Sequence, residues 1–203
     1  MSKPRFPAHP DRLIAPDARA ARGGSGDANA LWRYQKQRRQ NLLASPGPHT
    51  VALVLDGLRA DFNVPKIFRS AEAMGAHAIH LVDIGPFDPA PGKGAFKHVP
   101  AHFHADFTAC FQALEADGFS LVALEPRATD IITDIALPRR CAFVLGNEAT
   151  GLSDTARHTA GLHHVRLPQW GRMESMNVAV AASLALYEYT RQHGVPVPAP
   201  VPR

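Results

Sequence analysis

Cysteine is scarce in this chain: Cys110 and Cys141 are the only two among 203 residues. Both sit inside apolar runs, which reads as buried thiols in a reducing compartment and argues against a disulfide framework. No apolar run approaches the roughly 20 residues of a membrane span. The N-terminus, MSKPRFPAHPDR, has basic residues without the apolar stretch of a secretory signal, so a cytoplasmic protein is expected. Phosphate-binding glycine loops are lacking as well. No Gly-x-Gly-x-x-Gly follows an apolar run, and Gly92-Lys93-Gly94 has none of the rest of a P-loop, which excludes a standard dinucleotide cradle and the oxidoreductases built on it. The Gly-x-Ser-x-Gly elbow of a serine nucleophile is also missing. Histidine is plentiful, with 11 in all, including His98, His102, His104 and the pair His163-His164. No cysteine joins them at ligand spacing, and no metal site is expected.

What is present is enough apolar content, 45% of residues, for one domain with flanking arms. Charge is unevenly placed. Residues 1–48 carry nine Lys/Arg against three Asp/Glu, whereas the remainder carries 13 against 15. A basic arm on a near-neutral domain suggests contacts to nucleic-acid phosphates, the alternative being a solvated tail. Residues 1–28, with four Pro and Gly-Gly-Ser-Gly, are expected to have no fixed structure. A helix capped by Asp27 or Asn29 then runs through Leu43. On it Arg33, Lys36, Arg38 and Arg39 are placed to track phosphates. Trp32 or Tyr34 would stack on a base, or equally pack onto the domain. Ser45-Pro-Gly-Pro48 ends the helix and links it to the domain.

From His49 to His193 apolar runs alternate with helical stretches. Strands are expected at 51–55, 79–82, 119–124, 141–145 and 164–167, and helices at 65–74, 106–117 and 177–193. This pattern predicts an α/β domain, a mainly parallel sheet with helices on both faces. Residues 194–203, GVPVPAPVPR, read as an extended proline-rich tail. In parallel sheets ligands bind beyond the carboxyl ends of the strands. Asp56, Glu125, Gly146-Asn147-Glu148 and Pro168-Gln169 all fall there.

Three segments stand out for their order and spacing. Asn63-x5-Arg69 comes first. Leu145-Gly-Asn-Glu-x2-Gly-Leu-Ser153 follows, and then Leu167-Pro-x2-Gly171-x3-Ser175-Met-Asn-Val178. Together they resemble the three motifs of the SpoU (TrmH-type) RNA 2′-O-methyltransferases, a resemblance that covers roughly residues 50 to 192. One such motif is weak evidence; three in register are specific.

The resemblance implies a C-terminal third threaded as a trefoil knot, against the usual rule that chains are unknotted. It implies S-adenosylmethionine held mostly by main-chain groups, at positions matching Leu124, Gly146, Leu167, Ser175 and Met176. It nominates Arg69 beside the reacting ribose hydroxyl, with Asn63, Glu148 and Asn177 bracing the site. A guanidinium almost never loses its proton, so Arg69 is better suited to stabilise a developing alkoxide than to act as a base. Glu148 has a plainer alternative, capping the helix opened by Gly151-Leu-Ser153. Pro65 and Ala179 depart from the family's usual small residue and serine. The resemblance further implies a homodimer packed through the helix 177–193, where Val178, Ala181, Ala182 and Ala185 are small enough for close approach. A short basic arm is closer to members that act on transfer RNA, so tRNA leads rRNA as the expected substrate. A catalytically silent RNA-binding or assembly factor with the same fold is the alternative.

Overall fold

The computed structural model describes residues 25–196; the readings of the first 24 residues and of the tail beyond residue 196 lie outside them. Strands β1 (Val51–Asp56), β2 (Ala78–Val82), β3 (Ala101–His104), β4 (Ser120–Leu124), β5 (Asp130–Ile131), β6 (Cys141–Gly146) and β7 (His163–Arg166) form one sheet. Their order is β3-β2-β1-β6-β4-β7-β5, and every pairing is parallel. The expected α/β architecture is therefore met, with a sheet that is wholly rather than mainly parallel. Helices α1 (Ser25–Asn41), α2 (Asn63–Ala73), α3 (Phe107–Ala116), α4 (Asp154–His158) and α5 (Val178–His193) complete the described chain. Among these residues no helix is long and apolar enough to cross a membrane.

Two apolar layers explain why the central strands read as continuous hydrophobic runs. Val51, Leu53 and Leu55 of β1 point toward α2 and α5, in a cluster with Phe68, Phe143, Leu186 and Tyr189. Ala52 and Val54 point the other way, to α3 and α4, with Phe107, Leu114 and Ala156. The two-residue period of a strand divides β1 between the layers. The observed elements differ from the sequence reading at their ends and by two strands, β3 and β5, that the strand pattern did not place. α2 begins at Asn63 rather than Pro65, which leaves Pro65 in the first turn, where its missing N–H costs nothing. β5, only two residues long, is too short for periodicity to reveal.

α1 contributes more to the core than its composition suggests. The Tyr34 ring stacks on Phe96 at 5.6 Å and meets Phe87 edge-on at 5.4 Å, so for this residue packing onto the domain is what the structure contains. Asn41 is buried (4% exposed). Its Nδ2 donates to the carbonyls of Phe96 and Val99, both at 2.6 Å, and its Oδ1 accepts from the Ala101 amide at 3.2 Å. One side chain thus satisfies three backbone groups in the turn that leads into β3. Asn41→Ala strands those groups without water. We expect it to cost about 2–3 kcal/mol of stability, readable as a lower midpoint in urea unfolding.

α5 is held by its own domain over most of its circumference. Asn177 caps it, its Oδ1 accepting from the amides of Ala179 and Val180 at 3.0 and 3.3 Å. Val178, Ala182 and Ala185, three of the four residues expected at a helix–helix interface, are instead buried inside the domain. The apolar residues that α5 leaves exposed are Val180, Leu184 and Tyr187, at the i, i+4, i+7 spacing of a single stripe.

Both cysteines are free and buried, as expected, and burial pushes each thiol up to about 12. The histidines have a neighbour that sequence spacing does not reveal. Sequence spacing joins no cysteine to them, but in space Cys110 of α3 does join His80 of β2 and His104 of β3. The link is invisible in sequence because three elements supply one residue each. Burial, helped by His102 and His104, pushes His80 down to about 3, so this ring is neutral near pH 7.

Candidate active site

The carboxyl ends of β4, β6 and β7 open into a cleft of about 740 Å³. Leu124 ends β4, Gly146 ends β6 and Leu167 follows β7, while Ser175 and Met176 lie on the segment entering α5. All five line this one cleft. Gly146 is fixed there by space. A Cβ at this position would overlap the backbone of Gly151 and Leu152. That close approach is made by a short loop in which Asn147 N donates to Gly151 O at 2.8 Å and Gly151 N returns the bond to Asn147 O at 2.9 Å. Gly151 itself has φ +73, a left-handed conformation that glycine adopts without strain. The Asn147 side chain braces the turn, donating to Gly57 O at 2.7 Å and accepting from the amides of Ala149 and Thr150.

Three nominated polar residues meet at the rim. Asn63 Nδ2 donates to Glu148 Oε1 at 2.8 Å, and Asn177 Nδ2 donates to Asn63 Oδ1 at 3.2 Å. Positions 85 and 114 residues from Asn63 are thereby tied to the start of α2. Glu148 does not cap α4; that cap is Ser153, which accepts from the Ala156 amide. Asn63 is central because an amide both donates and accepts. In Asn63→Asp the donor is gone and a carboxylate faces Glu148. We expect a loss of about 1–2 kcal/mol, seen in urea unfolding, while Asn63→Gln keeps part of the bridge.

Arg69 stands apart from this trio. Six residues beyond Asn63, it lies about 9 Å further along α2. It is exposed and, among the described residues, has no hydrogen-bond or ion-pair partner. The fold therefore does not account for it. Glu125 was legible only by its place after a strand, and Arg157 gave no signal at all, yet both line the cleft. The Glu125 carboxylate sits 2.9 Å from His164 Nδ1 and 3.6 Å from Arg157 Nε.

The four basic residues nominated on α1 divide into two pairs. Arg33 forms a two-pronged pair with Asp88, at 2.9 and 2.7 Å, and hydrogen bonding from Arg33 holds the Asp88 carboxyl below its ordinary range. Arg38 lies over the Phe103 ring at 4.5 Å. Lys36 and Arg39 are exposed, with the Lys36 ammonium 5.1 Å from the exposed Trp32 ring.

A wholly parallel sheet, with a cleft at its carboxyl edge and an amide–carboxylate bridge at the rim, defines the α/β class of ligand-binding domain. Within that class the chain belongs to the SpoU rRNA Methylase family, whose model matches residues 50–187. Among curated relatives, a 23S rRNA (guanosine-2′-O-)-methyltransferase, RlmB, of Nitrosomonas europaea is 32% identical over 176 residues, covering 79% of this chain; the chain spans 66% of that protein's length. Among solved structures, the SpoU methyltransferase AviRb from Streptomyces viridochromogenes, in complex with the cofactor AdoMet, superposes with a TM-score of 0.64 at 26% identity, over 70% of this chain and 57% of that one. A structure from work on the 2-OH methylation of C/U34 on tRNA superposes with a TM-score of 0.60 at 27% identity, over 72% of this chain and 97% of that one.

Proposed function

We propose that this protein is an S-adenosylmethionine-dependent RNA ribose 2′-O-methyltransferase. The observation that carries the reading is the single cleft lined by Leu124, Gly146, Leu167, Ser175 and Met176, with the Asn63–Glu148–Asn177 bridge at its rim. The cleft's volume suits a ligand of cofactor size. Gly146 and Gly151 on its wall leave main-chain groups open to a ligand, which suits main-chain recognition of an adenosine and a methionine chain. The cofactor supplies an electrophilic methyl group on a sulfonium. The S–CH₃ bond breaks as the O–CH₃ bond forms, and the ribose hydroxyl proton leaves to water or an RNA phosphate. Arg69 lowers the cost of charge on the 2′-oxygen, its fixed positive charge needing no proton transfer of its own. Asn63 and Asn177 hold the Glu148 loop against the start of α5, which keeps the cleft's wall in place. The C-terminal segment closes this site as a trefoil knot.

The substrate we propose is ribosomal RNA. The arm alone put tRNA ahead, but curated relatives near 30% identity are 23S rRNA guanosine methyltransferases, and that likeness outweighs the length of an arm. Calorimetry with S-adenosylmethionine or its demethylated product is expected to give a Kd on the order of micromolar. Absence of heat with both, in folded protein, would leave the catalytically silent RNA-binding reading instead. Transfer of labelled methyl to a 23S rRNA fragment in preference to a tRNA transcript checks the substrate, and the reverse preference overturns it. Lys36 and Arg39 supply phosphate contacts. Replacing both with alanine is expected to lower RNA affinity and to flatten its salt dependence by about one unit of slope per lost contact.

The working unit is a homodimer, its cytoplasmic setting consistent with two free thiols. Support comes from the exposed Val180–Leu184–Tyr187 stripe and from Arg69, which has no partner among the described residues and would stand beside a second copy's cleft, facing the ribose. Leu184→Glu combined with Tyr187→Glu is expected to give a folded monomer near 22.0 kDa by light scattering. Dimeric mass in that variant would place the contact elsewhere.

A further inference from the structure

The cluster on the α3 side of the sheet plays no part in the proposed methyl transfer. β2 and β3 are adjacent parallel strands paired His80 to His102 and Val82 to His104, so His80, His102 and His104 emerge on one face. α3 covers that face and brings down Cys110. His80 Nδ1 and His104 Nε2 are 3.0 Å apart. One ring nitrogen of each histidine and the Cys110 sulfur all lie within 4.8 Å of one another. The His102 ring centre is 4.8 Å from that of His80. Two imidazoles and one thiol converging from three elements, at the outermost pair of strands, make a donor set of the kind that holds zinc.

We propose that His80, His104 and Cys110 form a zinc site that fastens edge strand β3 to helix α3. Tetrahedral bonds of about 2.0 Å to nitrogen set ligand nitrogens about 3.3 Å apart. The two nitrogens therefore need to part by a few tenths of an ångström, and both rings, now nearly coplanar and facing each other across their hydrogen bond, turn toward the sulfur as it moves inward. Binding breaks the hydrogen bond between the rings. The shared proton shifts to the other nitrogen of its own ring, and the thiol proton is released to solvent as the Zn–S bond forms. The charge changes by +1 in total, with no redox step. The fourth position is taken by water or by His102, which is exposed at the edge. Sulfur with imidazole selects Zn²⁺ over the hard ions Mg²⁺ and Ca²⁺. The site is structural, tying β3 to the helix that follows it.

The test uses the full chain, stripped with a chelator, and Co²⁺ as a spectroscopic stand-in for Zn²⁺. One equivalent of Co²⁺ is expected to produce tetrahedral visible bands together with a near-ultraviolet thiolate-to-cobalt band, both removed by Zn²⁺. Cys141→Ser keeps the thiolate band, because Cys141 lies in the other apolar layer, and Cys110→Ser loses it. Zn²⁺ raises the melting temperature of the wild type and of Cys141→Ser, but not of Cys110→Ser. If Cys110→Ser does not fold, His104→Gln, on the half-exposed edge strand, reads the same site. Its cobalt midpoint is expected to rise by roughly tenfold or more, since even outer partners of metal ligands carry that much. Cobalt binding without a thiolate band, or an unchanged band in Cys110→Ser or an unchanged midpoint in His104→Gln, overturns the proposal. Neither readout depends on methyl transfer, so failure here is distinct from failure of the active-site reading.

Discussion

Replacing Arg69 with alanine is expected to lower methyl transfer by about 10²- to 10³-fold, the usual loss when one preorganised electrostatic stabiliser is removed. Arg69 is set apart by what it lacks. Surface arginines on a helix commonly pair with a carboxylate one turn away. Arg69 has no partner among the described residues, although Glu72 stands one turn on, three residues away. No side-chain hydrogen bond or ion pair among the described residues is lost on truncation, so stability is expected to move within about 0.5 kcal/mol. S-adenosylmethionine affinity is expected to stay near wild type, because Arg69 does not line the cleft. Arg69→Lys should recover little activity, since a point charge cannot reproduce a planar, five-donor fork. Single-turnover methylation of RNA, with calorimetry on the same samples, separates the two effects. Wild-type turnover in Arg69→Ala removes the residue from the mechanism, and a parallel collapse of cofactor binding moves it into the cleft wall.

Gly146→Ala is expected to be the most damaging single methyl group in the site. The added carbon would overlap main-chain atoms of Gly151 and Leu152, and backbone cannot swing aside as a side chain can. Relief requires β6 to part from the 147–151 turn, which breaks the paired bonds between Asn147 and Gly151. We expect about 1–3 kcal/mol of destabilisation from overpacking alone and no measurable S-adenosylmethionine binding, because the parted segments are two walls of the cleft. Gly85→Ala is the control: nothing lies within 4 Å of its would-be Cβ. Thermal melts and calorimetry on the two variants decide it. Near-normal cofactor affinity in Gly146→Ala would mean that the close approach can relax without disturbing the site.

The damage expected at Gly146 shows where reading the chain stops. That Gly146 follows a strand, and that a glycine lets backbone come near a ligand, was legible from CAFVLG alone. What the glycine actually accommodates is Gly151 and Leu152, five and six residues on, because the loop returns on itself. The Asn63–Glu148–Asn177 bridge has the same character. The motifs nominated each residue, but hydrogen bonds across 85 and 114 positions depend on the strand order, which places β6 beside β1.

By itself the sequence determined the layered α/β architecture, since apolar runs of strand length separated by amphipathic stretches can bury themselves only as a parallel sheet between helices. It also determined the family, through polar motifs at three spaced positions, and the burial of its two cysteines. Tertiary structure alone decided which polar side chains meet. It turned Tyr34 and Arg33 of the basic arm inward onto the domain, left Val180, Leu184 and Tyr187 rather than the small residues of α5 facing outward, and gathered His80, His104 and Cys110. The physical reason is common to all of these. Local propensity and periodicity act over a few residues along the chain, whereas contacts between side chains far apart in sequence follow from register and helix packing, which no local segment encodes.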